Sequence, residues 1–584
     1  MAFAEAMSRG IGAFAKILPT ALARASGDSV RIDVTCDGEQ GATRMTLMTS
    51  GRAKGVAVAV FALSLATFLG LRSNDPCSVD GPLRCLDVYE RDALEFHGNN
   101  HLLYPAWVLA WSRLARALGL SPMGPMEFVH LTQALDAWLA ASSLLFAFIV
   151  ARRATGSSRL AFLASVVLGL SRAFVAHATN AAEPMPGFFC AAAAVALQVE
   201  CQARGLDRAL PLAGFLYGLA LASYQSMVLV APIAALLLLG PPAPLGAVVS
   251  RRGLRRLAWV AGGGLAAIVL VYGFAYSREG VPVRAMPARF LRLDGGASVY
   301  GGVKLSRFVN LGPGLLRNLL SAVPEDYQGV RALLGRPDGA RSVALALLSA
   351  APLALIAALA GSVVGAAWRY ATKRRRTWYA ALGVAGLLPF VPLLVWDPLY
   401  DKLWLQPIAI LSIGSVVAVS RIDRTRRRLL VATILVTALA EAWVNLPRAS
   451  AESRNPTPFL VDADLLAQSV QEDDAVVLNF DPISMLWLAF HGSRNRTLVL
   501  PASTKEEATG WLLRSRALCR QRNGRLLFIG VLDMSRRSWD PFLGDRVGIP
   551  FQLLDAERRE RKVLRAFHLG TETITLSEVP LGPG

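Results

Sequence analysis

The chain lacks the short signatures that would name a soluble enzyme. Its 584 residues contain no Walker-type phosphate loop, no H-E-x-x-H and no Ser-His-Asp ordering. No internal repeat is present, and no pair of Gly/Pro-broken spans occupies corresponding positions of the two halves, which weighs against an inverted-repeat transporter. Cysteine is scarce at six residues, and none has metal-site spacing. Charge is scarce too, at 18 % of residues, while 54 % are hydrophobic and the mean hydropathy is +0.42. That balance excludes an ordinary soluble globule.

The apolar residues come in runs of roughly 18–25, the length that crosses a hydrocarbon core. About eleven spans are expected, near 54–71, 128–150, 159–177, 185–203, 209–224, 226–240, 256–276, 342–368, 378–396, 403–420 and 429–446. The formal charge of +19 would suggest nucleic acid in a soluble protein. Here the basic clusters Arg152-Arg153, Arg251 to Arg256, Lys373 to Arg376 and Arg424 to Arg428 fall between spans, all on one side. This is the positive-inside pattern, which sets orientation, so no nucleic-acid partner is expected.

The fold class is therefore a polytopic α-helical membrane protein with a small C-terminal extracytoplasmic α/β domain. Residues 1–53, with Arg9, Lys16 and Arg24 and no signal-peptide cleavage site, read as a cytoplasmic N-terminal extension. Residues 54–446 form the transmembrane domain, with long outer loops at 72–127 and 277–341. The apolar part of the first loop, 102–118, carries Arg113 and Arg116 and reads as a helix lying at the interface. The basic 277–341 loop is either a solvated surface or one suited to a phosphate-bearing lipid. From 447 to 584 the composition turns soluble. Short β-rich runs at 475–480, 497–500 and 526–531 alternate with helical stretches, the pattern of a largely parallel sheet.

Titratable groups crowd into 87–105, which reads D-V-Y-E-R-D-A-L-E-F-H-G-N-N-H-L-L-Y-P. Asp87 and Glu90 share one face if the segment is helical, and paired carboxylates in a desolvated cleft suit a general base. The loop between the third and fourth spans adds His177, Asn180 and Glu183 on the same side. The D-P-L-Y-D-K loop adds Asp397, Asp401 and Lys402. Polar groups converging from separate loops mark a site. His97 and His101 lie four apart but span Gly-Asn-Asn, a poor helix, and no cysteine or third histidine joins them; no metal site is assigned. No cofactor is expected, and divalent-ion binding by the carboxylates stays open. Asp136 lies mid-span, either as a functional acid or as an inter-helix hydrogen-bonding group. Cys77 and Cys85, eight apart, are either a disulfide or two unrelated thiols.

These motifs resemble the GT-C membrane glycosyltransferases. The resemblance is greater to bacterial multi-span proteins related to protein O-mannosyltransferases, whose first loop reads D-S-G-E and then H-P-P-G-Y-P. D-V-Y-E puts Asp87 and Glu90 on the acidic positions, and H-L-L-Y-P supplies His101, Tyr104 and Pro105. Ala182-Glu183 matches the Ala-Glu of the next loop. Val88-Tyr89 and Leu102-Leu103 depart from the family pattern.

The resemblance implies a bacterial inner-membrane enzyme with a polyprenyl-phosphate-linked sugar donor and a protein, lipid or glycan acceptor. It implies Asp87 as base, Glu90 and Glu183 orienting acceptor or sugar, and His101 and Tyr104 bonding sugar or phosphate. Asn180 and Lys402 join the substrate-binding candidates by their place at the same face. Two other functions compete. A transporter or flippase would place its essential charge at Asp136, and a non-catalytic envelope-assembly component would work through residues 450–584.

Overall fold

The fold is seen in a computed structural model. It describes residues 51–74, 84–85, 88–89, 92, 102–120, 122, 124–239, 251–286, 305–320, 384–395, 401–420, 424–454, 458–479, 482–491, 495–500, 505–534, 551–569 and 572–581. Five helices there are long and apolar enough to cross a membrane: Ala53–Gly70, Met126–Thr155, Pro184–Arg204, Arg251–Arg278 and Arg427–Arg454. They belong to α1 (Gly51–Gly70), α3 (Pro125–Thr155), α6 (Pro184–Arg204), α9 (Arg251–Arg278) and α12 (Arg424–Arg454). Helices α4 (Ser158–Leu170) and α5 (Arg172–Thr179), with a bend of 69° between them, are together long and apolar enough for a broken span or a re-entrant loop. Shorter apolar helices cover Gln225–Leu239, Val384–Leu394 and Leu405–Ser420 (α11), and α7 runs Leu210–Ser223. The expected span at 342–368 lies outside the described residues.

The long helices are punctuated by the residues that start and stop helices. Pro125 and Pro184 occupy first-turn positions of α3 and α6, where a missing N–H costs nothing. Gly156 and Gly205 end the same helices with φ of 68°, a left-handed conformation that glycine adopts freely. The bend after α4 leaves backbone carbonyls without helical partners, which is costly in an apolar bundle. Ser171 Oγ donates to Leu168 O at 2.8 Å, and Asn445 Nδ2 of α12 donates to Leu170 O at 2.6 Å. The bend is thus hydrogen-bonded rather than frayed.

Helix α7 packs on α9 through glycine. A Cβ at Gly214 would fall 1.9 Å from Val260 O, and one at Gly263 would fall 2.0 Å from Pro211 O. The two backbones touch because small residues let them, the usual basis of helix association where no hydrophobic effect separates protein from lipid.

The helix α2 (Tyr104–Ala117) lies against α3, with Trp111 Nε1 donating to Leu131 O at 2.8 Å. Its start is buried, while Leu114, Leu118 and Leu120 are exposed at its far end.

The C-terminal domain carries one five-stranded sheet in the order β2-β1-β3-β5-β4. Strands β1 (Ala475–Leu478), β2 (Arg496–Val499) and β3 (Leu526–Ile529) are parallel. All residues of β1 and β3 are buried, because both faces are covered. Helices α13 (Pro458–Ala467) and α14 (Pro482–His491) cover one face through Leu466 and Trp487. Helix α15 (Lys505–Arg522) covers the other through Leu512 and Cys519. Asp474 staples β1 to β3 by accepting Arg525 N at 2.8 Å and Arg525 Nη2 at 2.6 Å. The sheet is less parallel than its β-rich runs suggest. A hairpin of β4 (Lys562–Leu569) and β5 (Glu572–Val579) adds an antiparallel half whose charged, alternating residues did not read as strands.

The glycine contact yields a test. Gly214→Ala and Gly263→Ala should each destabilise the purified protein by about 1–3 kcal/mol, the usual cost of overpacking. Gly262→Ala, whose Cβ would meet nothing within 4 Å, should be neutral or stabilising. Thermal unfolding in detergent reads the difference, and equal effects at Gly262 and Gly263 would refute the close packing.

Candidate active site

The described site residues gather at the end of the bundle opposite Arg152 and Arg153. Helix α5 stops at Thr179, where Asn180 Nδ2 turns back to donate to Ala176 O at 2.9 Å. The chain then runs through Ala181 and Ala182 to Glu183, the N-cap residue of α6. A carboxylate there sits at the positive end of the helix dipole. It makes no capping bond to the helix. Lys402, in the 3-10 turn Asp401–Leu403 ahead of α11, donates from Nζ to Glu183 Oε2 at 3.3 Å. Arg84 Nε stands 4.0 Å from Oε1.

Burial decides the weight of these contacts. The Glu183 side chain is 0 % exposed and that of Lys402 4 %, against 27 % for Arg84. Removing one partner of such a buried pair typically costs about 3–5 kcal/mol, because the other charge is left stranded. Two cations, Lys402 and Arg84, thus face this one carboxylate.

Asp136 fixes the loop that carries Glu183. Its Oδ2 accepts the Ala182 N–H at 2.8 Å and the Tyr104 hydroxyl at 3.3 Å. One acid of α3 thereby ties α2, α3 and the α5–α6 loop together, and it belongs to the inter-helix hydrogen-bonding alternative rather than to an open site. Burial pushes the Tyr104 hydroxyl well above its ordinary range, and the neighbouring Asp136 charge adds to the effect. It therefore stays protonated and keeps donating. Cys85 is a free thiol 3.8 Å from that hydroxyl, and burial pushes it up to about 12. Around them Val88, Val108, Phe128 and Ala181 form a small apolar cluster.

Of the residues expected from the sequence, Glu183 and Lys402 are brought into contact. Asn180 closes the end of α5 beside them. Tyr104 lies beneath the loop, bonded to Asp136. Asp87, Glu90 and His101 lie outside the described residues, as do His97, Cys77 and Asp397. His177 is buried on α5. Sequence reasoning missed Arg84, whose only signal is a guanidinium three residues ahead of Asp87. No group of three or more His, Cys, Asp or Glu that could hold a metal occurs among the described residues.

No protein-family model matches the chain, and no curated protein matches it. Solved structures do. The crystal structure of ArnT from Cupriavidus metallidurans bound to undecaprenyl phosphate is similar with a TM-score of 0.52 at 12 % identity, over 91 % of this chain and 99 % of that one. Its apo form gives 0.53 at 12 %, over 91 % and 100 %. The chain shares its overall fold with these ArnT structures. The S. cerevisiae protein O-mannosyltransferase Pmt1-Pmt2 complex aligns at a TM-score of 0.32 and 12 % identity, over 47 % of this chain and 38 % of that chain, which is too low to carry an argument.

A double-mutant cycle tests the buried pair. Lys402→Met and Glu183→Gln should each destabilise by about 3–5 kcal/mol, and the double variant should recover much of that loss. Strictly additive losses in thermal unfolding would show that the two charges do not act on each other.

Proposed function

We propose that the chain transfers a sugar from a polyprenyl-phosphate-linked donor to a hydroxyl acceptor at the outer face of a bacterial inner membrane. In this reading the N-terminus is cytoplasmic and the C-terminal domain extracytoplasmic. The acceptor is a protein, lipid or glycan. The observation that carries the proposal is the buried Glu183–Lys402 pair, with Arg84 beside it, in a chain sharing its fold with an ArnT crystallised with undecaprenyl phosphate.

The chemistry needs three things. A base takes the proton from the acceptor hydroxyl as its oxygen attacks C1 of the sugar. The bond between C1 and the phosphate oxygen breaks, and the lipid phosphate leaves with the electron pair. Positive charge must meet the negative charge that develops on that phosphate. Asp87 is assigned as the base and Glu90 as its partner. Support comes from Cys85 and Val88, on either side of Asp87 in the chain, which pack in one cluster with Ala181, two residues from Glu183.

Lys402 and Arg84 supply the cations that favour phosphate, and a guanidinium can meet two phosphate oxygens at once. Glu183 holds Lys402 in place and is assigned to orient sugar or acceptor, with Asn180 beside it. His101 is assigned to the sugar or phosphate. Tyr104, expected to bond sugar or phosphate, is assigned instead to act through Asp136, which seats the Glu183 loop. No cofactor is assigned, and divalent-ion binding by the carboxylates stays open.

Full-length protein in nanodiscs, given a panel of radiolabelled polyprenyl-phosphate sugars and membrane extract as acceptor, tests this. Asp87→Asn should lower transfer by about 10²–10⁴-fold, the usual worth of a general base. Lys402→Met should lower it too, and Asp87→Asn should still insert and purify. Undiminished transfer by Asp87→Asn would remove it as the base.

A further inference from the structure

Two residues at the root of the first outer loop cap the ends of two distant helices. The last carbonyls of a helix have no partner within it and take one from elsewhere. Ser73 N–H donates at 3.0 Å to the carbonyl of Thr179, the last residue of α5. Asn74 N–H donates to Glu452 O at 3.1 Å, and its Nδ2 donates to Ser453 O at 2.7 Å, both in the last turn of α12. Asn445 shows the same device inside the bundle. Its Nδ2 meets Leu170 O and Leu319 O at the ends of α4 and of α10 (Leu305–Leu320), each at 2.6 Å. Ser73 and Asn74 are set apart by what they join.

Further bonds hold the pair. Gln133 of α3, buried, donates from Nε2 to Ser73 O at 2.8 Å. His130 Nδ1 lies 2.8 Å from Gln133 Oε1, which fixes the amide so that Nε2 faces Ser73. Arg172 at the start of α5 donates to Glu452 Oε2 at 3.1 Å, and Arg448 donates to Oε1 at 3.1 Å. Gln133 lies one turn before Asp136, whose Oδ2 accepts the Ala182 N–H. Thr179 and Ala182 are therefore held on either side of Asn180 and Ala181, and α3 seats the Glu183 loop at both ends. On the far side, residues 455–457 alone separate α12 from α13, whose Leu466 packs against the sheet of the C-terminal domain. Beyond Asn74 the chain leads into the loop that carries Arg84 and Asp87.

We propose that Ser73, Asn74, Gln133 and Glu452 form a clasp that positions the reacting groups. It fixes the root of the first outer loop, the Glu183 loop and the root of the C-terminal domain against one another. The inference rests on the transferase reading and adds to it residues that act on the reaction through others. Transfer needs Asp87 on one loop to keep its geometry toward Glu183 and Lys402 on two others, and a misplacement of about 1 Å can cost about 100-fold in rate. A helix end needing only a cap takes it from water or from the residues that follow it. The cap of α12 comes instead from 379 residues away. The carbonyls that root the C-terminal domain are thus bonded to the residue that roots the loop, so the seating of that domain is a condition of the site's geometry.

Sugar transfer and amide hydrogen exchange, both on the full-length protein in nanodiscs, test the clasp. With whichever polyprenyl-phosphate sugar of the panel is turned over, Asn74→Ala should lower kcat about 10–100-fold and leave the donor KM unchanged. It should also speed exchange across residues 178–184. Gly263→Ala, which destabilises the packing of α7 on α9, should do neither. Adding Gln133→Leu to Asn74→Ala should lower kcat no further than the worse single variant, because both loosen one loop root. Wild-type kcat in Asn74→Ala overturns the proposal, and so does a fall that only follows the unfolding midpoint, as judged against Gly263→Ala. If Asn74→Ala fails to fold, Asn74→Asp, which keeps the N–H and loses the Nδ2 donor, carries the same test. If the unmodified protein turns over no donor, the transferase reading fails by itself. Exchange then decides the clasp: an unchanged rate across 178–184 in Asn74→Ala overturns it, and a faster one shows that Asn74 seats the Glu183 loop.

Discussion

The molecule depends on how it handles carboxylates out of water. A charge buried among helices is tolerated only with a counter-charge or with hydrogen bonds that replace lost solvent. Glu183 meets this condition with Lys402 and Arg84, and Asp136 meets it with the Ala182 N–H and the Tyr104 hydroxyl. The two solutions are adjacent in space because Ala182 precedes Glu183. Asp136 seats the loop, and the loop presents the acid. Each contact joins different parts of the chain, from Arg84 in the first loop to Lys402 some three hundred residues later. Local structure alone could not hold them together.

The same condition divides the acids by role. Glu183 faces the cations Lys402 and Arg84. Asp136 is spent on scaffold. Glu441 has neither counter-charge nor hydrogen bond among the described residues. The bundle that carries all three is built for close approach. Gly214 and Gly263 let α7 and α9 touch, and Ser171 and Asn445 satisfy the bend of α4 and α5.

Much of this was legible in the sequence. Apolar run length located the helices, because hydrocarbon thickness sets a minimum that few soluble segments meet. The meeting of Glu183 with Lys402 was legible as two loops on one face, although their contact was not, since spacing along the chain says nothing of distance across a bundle. Arg84 was missed because a single arginine in a mixed loop has no periodicity. The role of Asp136 was left between two readings, which differ only in what its oxygens touch. The β4–β5 hairpin was missed because Arg565, His568 and Glu578 interrupt its apolar alternation. In the C-terminal domain the buried strands β1 and β3 read clearly, as continuous apolar runs do.

The central claim is that the Glu183–Lys402 pair forms the floor of the donor-phosphate site. An experimental structure of the full chain with undecaprenyl phosphate tests it most directly. The account predicts the phosphate within hydrogen-bonding distance of Lys402 or Arg84, on the Glu183 side of the Asp136-bonded loop. A phosphate bound elsewhere, with the pair still sealed away from it, would contradict the account.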